Sequence, residues 1–313
     1  MAYRKGQGSG LSPATRITHE IIARLETGTK PWIKPWRGVP QSRPLRACGI
    51  PYRGMNVFWL WMVADMCGYA SPFWMTYNQA KSLGAQVRKG EKSTIAIFYK
   101  SYTKEVEAPD TGEKTDESRR VLKSYPVFNA NQVDGLPERF YPAATLELVE
   151  PEGRELSLDA FFAAIPVNLR HQGHEAYYEP TADRVTMPPA SLFSGFDHYY
   201  ATLAHELSHW TGHASRLGRD LKNRFGTAAY AAEELVAELS SAMLGAELGL
   251  PVTHLDSHAS YIEHWLKLLK DDDRAILTAA AKAEEASTLL LRLGGRISSD
   301  HLDEAPDDAA LAA

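Results

Sequence analysis

Apolar residues recur every three or four positions at several places along the chain, and this spacing predicts amphipathic helices. The first helix is predicted to begin at Ser12-Pro13 and to end before Gly28, with an apolar stripe of Ile17, Ile21 and Leu25. Residues 55–66 are mostly apolar, which predicts a buried helix. Thr76 and Gln79 have the spacing of a capping box, so a short helix is expected to follow Thr76.

The pattern then changes to one that is typical of strands. Residues 93–99 and 121–127 are rich in apolar and aromatic side chains and are expected to pair with each other. The residues between them, 103–120, are charged and turn-rich, which predicts a solvated hairpin excursion. Prolines and a glycine interrupt the pattern from position 137 to 153, so a domain boundary is expected near residue 150.

The second half of the chain returns to helical spacing after a strand-like alternation over residues 177–187. Helices are predicted at about 158–164, 197–211, 227–247, 257–269 and 273–293. The predicted fold class is α+β, with an α+β N-terminal domain followed by a mainly helical C-terminal domain. The predicted organisation is a flexible leader (1–11), a first domain (12–150), a second domain (151–297) and an acidic tail (298–313).

Charge divides the chain at nearly the same place. Residues 1–140 hold 21 Lys and Arg against 12 Asp and Glu, a net of +9. Residues 141–313 hold 13 against 27, a net of −14. This asymmetry favours two modules with different partners, the first facing a polyanion. A uniformly solvated basic surface would give the same counts, and charge alone does not separate the two interpretations.

Composition narrows the class of protein. A hydrophobic content of 44% and a charged content of 23% are typical of globular proteins. The longest apolar run, residues 57–64, is too short to cross a bilayer, and residues 1–16 lack the apolar segment of a secretory signal. We therefore expect a cytoplasmic protein with no membrane partner. The two cysteines, Cys48 and Cys67, are expected to be buried free thiols.

Candidate chemistry is concentrated in the segment His205-Glu206-Leu207-Ser208-His209. Two histidines four residues apart on a helix share a face and can ligate one metal ion. Glu206 is then close enough to take a proton from a metal-activated water and later to pass it to a leaving amine. The segment predicts a metallopeptidase in which Glu206 is the catalytic residue. Zinc is the default ion for this ligand set, although the same residues would hold manganese or cobalt.

The third ligand is less narrowly defined. Ser215 occupies the position at which metzincins place a third histidine, so that class is excluded. The gluzincin arrangement takes a carboxylate from a later helix, for which Glu234 is the predicted residue and Glu233 the close competitor. Glu238, one turn after Glu234, is predicted to accept a hydrogen bond from a ligand histidine. The candidate oxyanion donors are Tyr230, His258 and Tyr261, among which the sequence does not choose.

The basic half interleaves aromatic and cationic side chains between residues 30 and 92. Binding to single-stranded nucleic acid needs flat aromatic faces for the bases and cations for the phosphates. Trp59 and Trp61 lie in the most apolar run and are expected in the core instead. The candidate DNA-binding residues are those that flank turns, together with one lysine of the same stretch: Tyr52, Arg53, Trp74, Arg88, Lys89, Lys92 and Lys81.

Motifs in both halves resemble the ArdC-type antirestriction proteins of conjugative plasmids, whose N-terminal region is similar to that of TraC-type plasmid primases. The matching segments are Tyr52-Arg53-Gly54-Met55-Asn56 and residues 74–81, 84–92, 127–133, 205–213, 216–217, 233–238 and 261–266. The resemblance implies an N-terminal domain that binds single-stranded DNA and a zincin-like metallopeptidase domain. It also implies protection of incoming plasmid DNA from host restriction. It adds Asn56 and Gln79 to the DNA-binding candidates.

Three functional hypotheses remain at this point. The first is a metallopeptidase recruited by DNA, with an unknown protein substrate for which host restriction components are candidates. The second is a non-proteolytic protein that coats single-stranded DNA and uses the metal structurally. The third is an accessory protein of replication or priming. A glutamate at position 206 within an intact HExxH motif favours the first, because a structural metal site has no use for it.

Overall fold

The computed structural model describes residues 10–30, 32, 43–107, 114–141, 151–220, 227–250 and 259–297. The helices are α1 (Pro13–Glu26), α2 (Met55–Cys67), α3 (Tyr77–Ser82), α4 (Pro151–Ala163), α5 (Phe196–Trp210), α6 (Ala228–Leu248), α7 (Ala259–Asp271) and α8 (Ala275–Leu293). The strands are β1 (Leu45–Arg46), β2 (Phe73–Met75), β3 (Gln86–Val87), β4 (Thr94–Glu107), β5 (Lys114–Asn129), β6 (Val133–Asp134), β7 (Asn168–His171), β8 (Tyr177–Glu179) and β9 (Arg184–Met187). The predicted α+β class is confirmed.

Local signals determine where several helices begin and end. The hydroxyl of Ser12 accepts a hydrogen bond from the backbone N–H of Thr15 and caps α1. Both hydrogen bonds of the predicted capping box between Thr76 and Gln79 are present at the start of α3. Thr227 caps α6, and Gly249 ends it in the left-handed conformation (φ 69°), which favours glycine.

The described part of the first half contains two sheets, in which all strand pairs are antiparallel except the parallel pair β1–β2. The larger sheet has the strand order β1-β2-β5-β4, and β3 pairs with β6 in a smaller one. β4 and β5 pair continuously from Thr94 opposite Val127 to Glu107 opposite Lys114. The strands therefore extend through most of the predicted excursion at 103–120, and the residues between them, 108–113, lie outside the described residues.

The second half packs its helices beside a small sheet of order β7-β9-β8. The strand-like stretch at 177–187 forms two antiparallel strands, β8 and β9, because the chain turns back at Asp183 (φ 47°). α5 contacts β8 and β9 on one side and α6 on the other. This packing leaves α5 between the sheet and α6, where its side chains can meet residues from both.

The principal hydrophobic core is shared by the two halves. It joins buried residues of α1, α2, β4 and β5 to buried residues of α6, α7 and α8. Trp59 and Trp61 belong to this core, as predicted. A second cluster contains second-half residues only and packs α4, β9 and α5 together. The two halves thus share one apolar interior although their net charges are opposite. The predicted limits of the two domains stay a prediction.

Ion pairs also cross between the halves. The buried guanidinium of Arg43 pairs with Glu247 at 2.7 Å and with Glu284 at 2.6 Å. Glu284 in turn accepts the backbone N–H of Gly54 at 3.1 Å. An exposed pair joins Lys270 of α7 to Glu26 of α1 at 2.6 Å. These contacts fix the first half against α6, α7 and α8.

The remaining expectations concern the two cysteines, the two ends of the chain and membrane spans. Both Cys48 and Cys67 are exposed, contrary to the prediction, because one lies in the turn after β1 and the other is the last residue of α2. Most of the predicted leader and all of the predicted tail, 298–313, lie outside the described residues. Within the described part of the chain, none of the helices has the length and apolar character that a membrane span requires.

Candidate metal centre and candidate nucleic-acid interface

The two histidines of the HExxH segment lie on one face of α5, with ring centroids 4.9 Å apart. Glu234 of α6 faces both of them. Its two carboxylate oxygens lie 3.6 Å from Nε2 of His205 and 3.6 Å from Nε2 of His209. One ligand atom from each of the three residues can be chosen so that all lie within 4.8 Å of one another. The packing of α5 against α6 therefore brings the predicted ligands together.

These separations fit a bound divalent ion. Nitrogen and carboxylate ligands lie about 2.0–2.1 Å from zinc, so neighbouring ligand atoms of a tetrahedral site are about 3.3–3.4 Å apart. The observed 3.6 Å contacts require only a small contraction. Two imidazoles and one carboxylate, with a fourth position open, are also the donor set of a catalytic zinc site.

Charge within the cluster favours protonated histidine and ionised glutamate when no ion is bound. Burial acts to lower the pKa of His205, but its hydrogen bond to Glu234 and the charges of Glu206, Glu234 and Glu238 outweigh it and raise that pKa to about 9. Burial acts to raise the pKa of Glu234, but His205 and His209 lower it to about 2. A metal ion would take the place of this proton, because ligand imidazoles must be neutral.

Glu206 is buried beside the ligands and is held by the neighbouring sheet. Its carboxylate accepts a hydrogen bond from the backbone N–H of Tyr178 in β8. Burial raises the pKa of Glu206, against the opposing charges of the two histidines. A raised pKa suits a residue that must take up a proton and release it within one reaction cycle.

Glu233 lies on the outer side of His209. Its Oε1 is 3.3 Å from Nδ1 of His209, the ring nitrogen opposite the one that faces Glu234. The guanidinium of Arg219 donates to both Glu233 oxygens, at 2.9 and 3.0 Å, and also to the carbonyl of Ser208 at 2.6 Å. This geometry supports Glu234 as the third ligand and assigns Glu233 to holding His209. Sequence reasoning missed Arg219, since no spacing rule marks an arginine ten residues after the second histidine.

The prediction for Glu238 differs from the structure. Its Oε1 accepts a hydrogen bond from Nζ of Lys30 at 2.8 Å, and both side chains are buried. Nδ1 of His205 is buried and has no hydrogen-bond partner among the residues that the structure describes. Glu238 therefore does not accept a hydrogen bond from Nδ1 of His205 here, and its Oε1 is directed to a lysine from the first half instead.

Two of the three candidate oxyanion donors lie at the cluster. The hydroxyls of Tyr230 and Tyr261 are 2.9 Å apart, and Tyr230 is also hydrogen-bonded to Glu234. Burial is the main cause that raises the pKa of both tyrosines, so both keep their protons and can donate. The third candidate, His258, lies outside the described residues.

Three of the predicted DNA-binding residues are core residues. Tyr52 is 2% exposed and lies beneath the guanidinium of Arg46, and Trp74 is 1% exposed. Asn56 is buried and bonds both backbone groups of Ile97, each at 2.8 Å. Stacking on a base or contacting a phosphate requires access from solvent, so the prediction is wrong for these three side chains as DNA contacts in this conformation.

The remaining candidates are more accessible. Exposed side chains without such a structural role are Arg53, Lys81, Lys89 and Lys92. Arg88 is exposed but donates to Glu91 at 2.7 Å and to the carbonyl of Asn131 at 2.6 Å. Gln79 is partly exposed, and its side-chain oxygen completes the capping box of α3. None of these contacts tests DNA binding, which stays a prediction.

Sequence reasoning also missed an exposed aromatic residue. Tyr77 is 46% exposed at the start of α3, one helical turn before Lys81. Its hydroxyl lies 3.2 Å from Nε2 of Gln86 in β3. We call the exposed side chains here the α3–β3 surface, which consists of Tyr77, Lys81, Gln86, Arg88 and Lys89. It combines an aromatic face with cations, whereas the sequence predicts Trp74, three residues earlier, as the stacking residue.

Comparison with known proteins divides the chain between two family models. Residues 12–128 match a model described as the N-terminal domain of the anti-restriction factor ArdC. Residues 156–282 match a model described as a zincin-like metallopeptidase.

Relatives match over most of the chain. The uncharacterized protein y4eC of Sinorhizobium fredii is 41% identical over 86% of this chain and 88% of its own length. Two DNA primase TraC proteins of Escherichia coli are 39% and 38% identical over 88% of this chain. The chain spans only 27% and 19% of the length of these two primases.

Solved structures match as well. The metal-free crystal structure of the antirestriction ArdC protein from R388 plasmid has a TM-score of 0.77 and 44% identity. The Mn(II)-bound structure of the same protein has a TM-score of 0.75 and 42% identity. In both cases the match covers 92% of this chain and 100% of the other.

Proposed function

Because this chain belongs to the ArdC-type antirestriction protein family, we propose that it protects plasmid DNA entering a host from restriction. It does so by binding single-stranded DNA and by carrying a metal-dependent peptidase site on α5 and α6. The observation that carries the enzymatic part is the convergence of His205, His209 and Glu234 beside the buried Glu206. The candidate substrates are proteins that engage the incoming strand, host restriction components among them.

The metal would be held by Nε2 of His205, Nε2 of His209 and the carboxylate of Glu234. A divalent ion bound there supplies Lewis-acid chemistry, which makes a water molecule more acidic and a peptide carbonyl more electrophilic. Zinc is the default for these ligands. The Mn(II)-bound relative supports manganese as the alternative, and cobalt suits the same donors.

Glu206 moves the proton in this proposal. Its carboxylate takes a proton from the attacking water and then gives it to the leaving amine. The backbone N–H of Tyr178 lies on one side of the carboxylate, and burial raises its pKa, which makes it a better acceptor for the proton of the water. Tyr230 and Tyr261 are both candidates to donate to the developing oxyanion, and because each has a single hydroxyl proton, the donor would first release its resting hydrogen bond.

The DNA-binding part of the proposal is assigned to the α3–β3 surface. Tyr77 offers an exposed ring for base stacking, and Lys81 follows one turn later on the same helix. Lys89 belongs to the same surface, Lys92 adds a cation three residues later, and Arg53 is a further exposed cation. Contacts of this kind bind single strands with little sequence preference.

The first experiment tests the DNA surface by fluorescence anisotropy with a labelled single-stranded oligonucleotide at several salt concentrations. Tyr77→Ala is expected to weaken binding about 5- to 150-fold, the equivalent of losing one stacked base. Lys81→Ala is expected to reduce the slope of log K against log salt by about 0.7. The matched control is Tyr177→Ala, which removes a tyrosine of similar exposure (47%) from β8. Equal affinities for the two tyrosine variants would remove the α3–β3 surface from the proposal.

The second experiment tests the peptidase part during conjugation into a restricting host. Glu206→Gln removes the proton acceptor and keeps the ligands, so it is expected to abolish protection while metal content and DNA affinity stay unchanged. Glu263→Gln, on the exposed side of α7, is the matched control. Full protection by Glu206→Gln would favour the non-proteolytic alternative, in which the protein coats single strands and the metal is structural.

The match to TraC primases motivates the third hypothesis, an accessory role in replication or priming. Because the chain spans only about a quarter or less of those proteins, their activity is not carried over to it. A priming role predicts a transfer defect that is independent of the restriction system of the recipient. Protection that is seen only in restricting recipients would argue against it.

A further inference from the structure

A lysine from the first half of the chain reaches the surroundings of the candidate metal centre. Lys30, four residues after the end of α1, is only 9% exposed, and its Nζ lies 2.8 Å from Oε1 of Glu238 in α6. The ammonium also lies 5.6 Å from the ring centroid of Trp265 in α7. Trp32 packs edge-on against the same indole at 5.5 Å. The segment that follows α1 is thus anchored on the helices that support Glu234.

The nearby carboxylates of the described residues do not form a hydrogen bond with Nδ1 of His205, the ring nitrogen that is not assigned to the metal. Three carboxylates influence the charge of this histidine, those of Glu206, Glu234 and Glu238. Glu234 faces Nε2, the nitrogen assigned to the metal, and Glu206 accepts the backbone N–H of Tyr178. Glu238 is held by Lys30. Nδ1 is left buried without a hydrogen-bond partner in the described part of the chain.

The missing hydrogen bond matters for a metal ligand. An imidazole that binds an ion through Nε2 carries its proton on Nδ1, and an acceptor there orients the ring and makes it a better ligand. His209 has such an acceptor in Glu233, at 3.3 Å. Among the described residues, His209 therefore has an outer carboxylate acceptor and His205 does not, a difference that bears on metal affinity.

We propose that Lys30 is a positioning residue of the metal centre, which holds the Glu238 carboxylate away from Nδ1 of His205 and thereby weakens the binding of the ion. The inference rests on the proposed metal site and concerns how tightly that site binds. Removing the ammonium leaves Glu238 in the interior without its cation, so the Nδ1–H of His205 becomes the available donor. The loss of a positive charge near a divalent ion acts in the same direction.

The experiment measures the Kd of the full-length protein for Zn(II) and Mn(II) by isothermal titration calorimetry with chelator competition. Lys30→Met is expected to bind about 10-fold tighter or more, the range over which such outer partners change metal affinity. Lys30→Arg keeps the charge and is expected to retain the wild-type Kd. In Lys30→Met/Glu238→Gln, which lacks the freed carboxylate, the gain is expected to disappear.

Lys270→Met is the matched control, because Lys270 also forms an ion pair between the two halves but is 53% exposed. Its metal affinity is expected to equal that of the wild type. The visible absorption of the Co(II)-loaded protein gives a second readout, which should change in Lys30→Met and not in the control. Lys30→Leu, which likewise removes both the charge and the hydrogen-bond donor, replaces Lys30→Met if the latter does not fold, with a gain in the same direction.

The outcomes separate this inference from the proposed metal site. If the wild type binds neither ion, the metal site is overturned, and this inference with it. If the wild type binds but the neutral Lys30 variants have a Kd equal to or weaker than that of Lys270→Met, the role of Lys30 alone is overturned. A gain that persists in the double variant also contradicts it, because the effect would then not act through Glu238.

Discussion

At the scale of single residues, the two ligand histidines are supported by different neighbours. Glu233 holds His209, and Arg219 fixes Glu233 while also donating to the carbonyl of Ser208 on α5. Arg219 therefore links α5 to α6 by hydrogen bonds to both helices, and it does so behind His209, on the side away from Glu234. Support of this kind commonly contributes 10- to 100-fold in metal affinity.

Glu233→Gln is expected to weaken Zn(II) binding about 10- to 100-fold, because the amide is a poorer acceptor for His209 and a poorer partner for Arg219. Competition with a chromogenic chelator measures the change. Glu263→Gln on α7 controls for the loss of one carboxylate elsewhere. A complete loss of binding, instead of a graded one, would indicate that Glu233 is itself a ligand and that the assignment of Glu234 is wrong.

Asn56 is a second residue whose role follows from its contacts. Its side chain satisfies both backbone groups of Ile97 in the interior. Asn56→Ala is expected to lower the free energy of unfolding by about 2–4 kcal/mol, because two buried polar groups lose their partner. Urea denaturation measures this change, with the exposed Lys89→Ala as the control. A large loss of DNA affinity in folded Asn56→Ala protein would restore it as a DNA contact.

At the scale of elements, α3 shows how a short helix can present a surface. It has six residues, too few to be stable alone, and depends on the reciprocal hydrogen bonds between Thr76 and Gln79. Thr76, the N-cap residue of this capping box, directly precedes Tyr77, so the cap that starts the helix also fixes the position of the exposed ring.

Thr76→Ala is expected to destabilise α3 by about 1 kcal/mol, the usual cost of losing an N-cap. Hydrogen exchange of the amides of residues 77–82 should become faster, and binding to single-stranded DNA should weaken along with it. Ser82→Ala, at the other end of the helix, is the control. Unchanged exchange in Thr76→Ala would show that tertiary packing alone maintains the helix.

The elements that the sequence predicts well are those with local signals. The N-caps at Ser12, Thr76 and Thr227 mark true helix starts, because a cap involves residues only three positions apart. The pairing of His205 with His209 follows from helical geometry alone. Glu234 is brought to them only by the packing of α5 on α6, yet the predicted helix already placed it on a face that could meet them.

What the sequence does not predict depends on contacts between distant residues. Glu238 was expected to face a histidine, but its partner is Lys30, 208 positions away. Tyr52 and Trp74 flank turns, a property that indicates exposure only when no other element covers them. No local sequence pattern indicates which helix of the second half packs against which helix of the first.

At the scale of the whole molecule, the shared core makes the two halves depend on each other for stability. Ile17 of α1 and Trp265 of α7 belong to one buried cluster, and α1 contacts α7 directly. A loss of packing in the first half therefore removes support from the helix pair behind the candidate metal site.

Ile17→Ala is expected to cost about 2–5 kcal/mol of the free energy of unfolding, as other large-to-small changes in cores do. Tryptophan fluorescence and metal release should shift together along the denaturant axis, as in a single cooperative transition. Leu11→Ala, at an exposed leucine, is expected to change neither. Metal release at an unchanged midpoint in Ile17→Ala would show that the halves unfold independently.

The shared interior also bears on how such a gene can be rearranged. A recombination event between the two halves would yield one product with uncovered apolar faces on α6, α7 and α8, and another with uncovered faces on α1 and α2. Apolar patches of that kind promote aggregation. We therefore expect the two halves to be exchanged between genes as a pair, despite their opposite net charges.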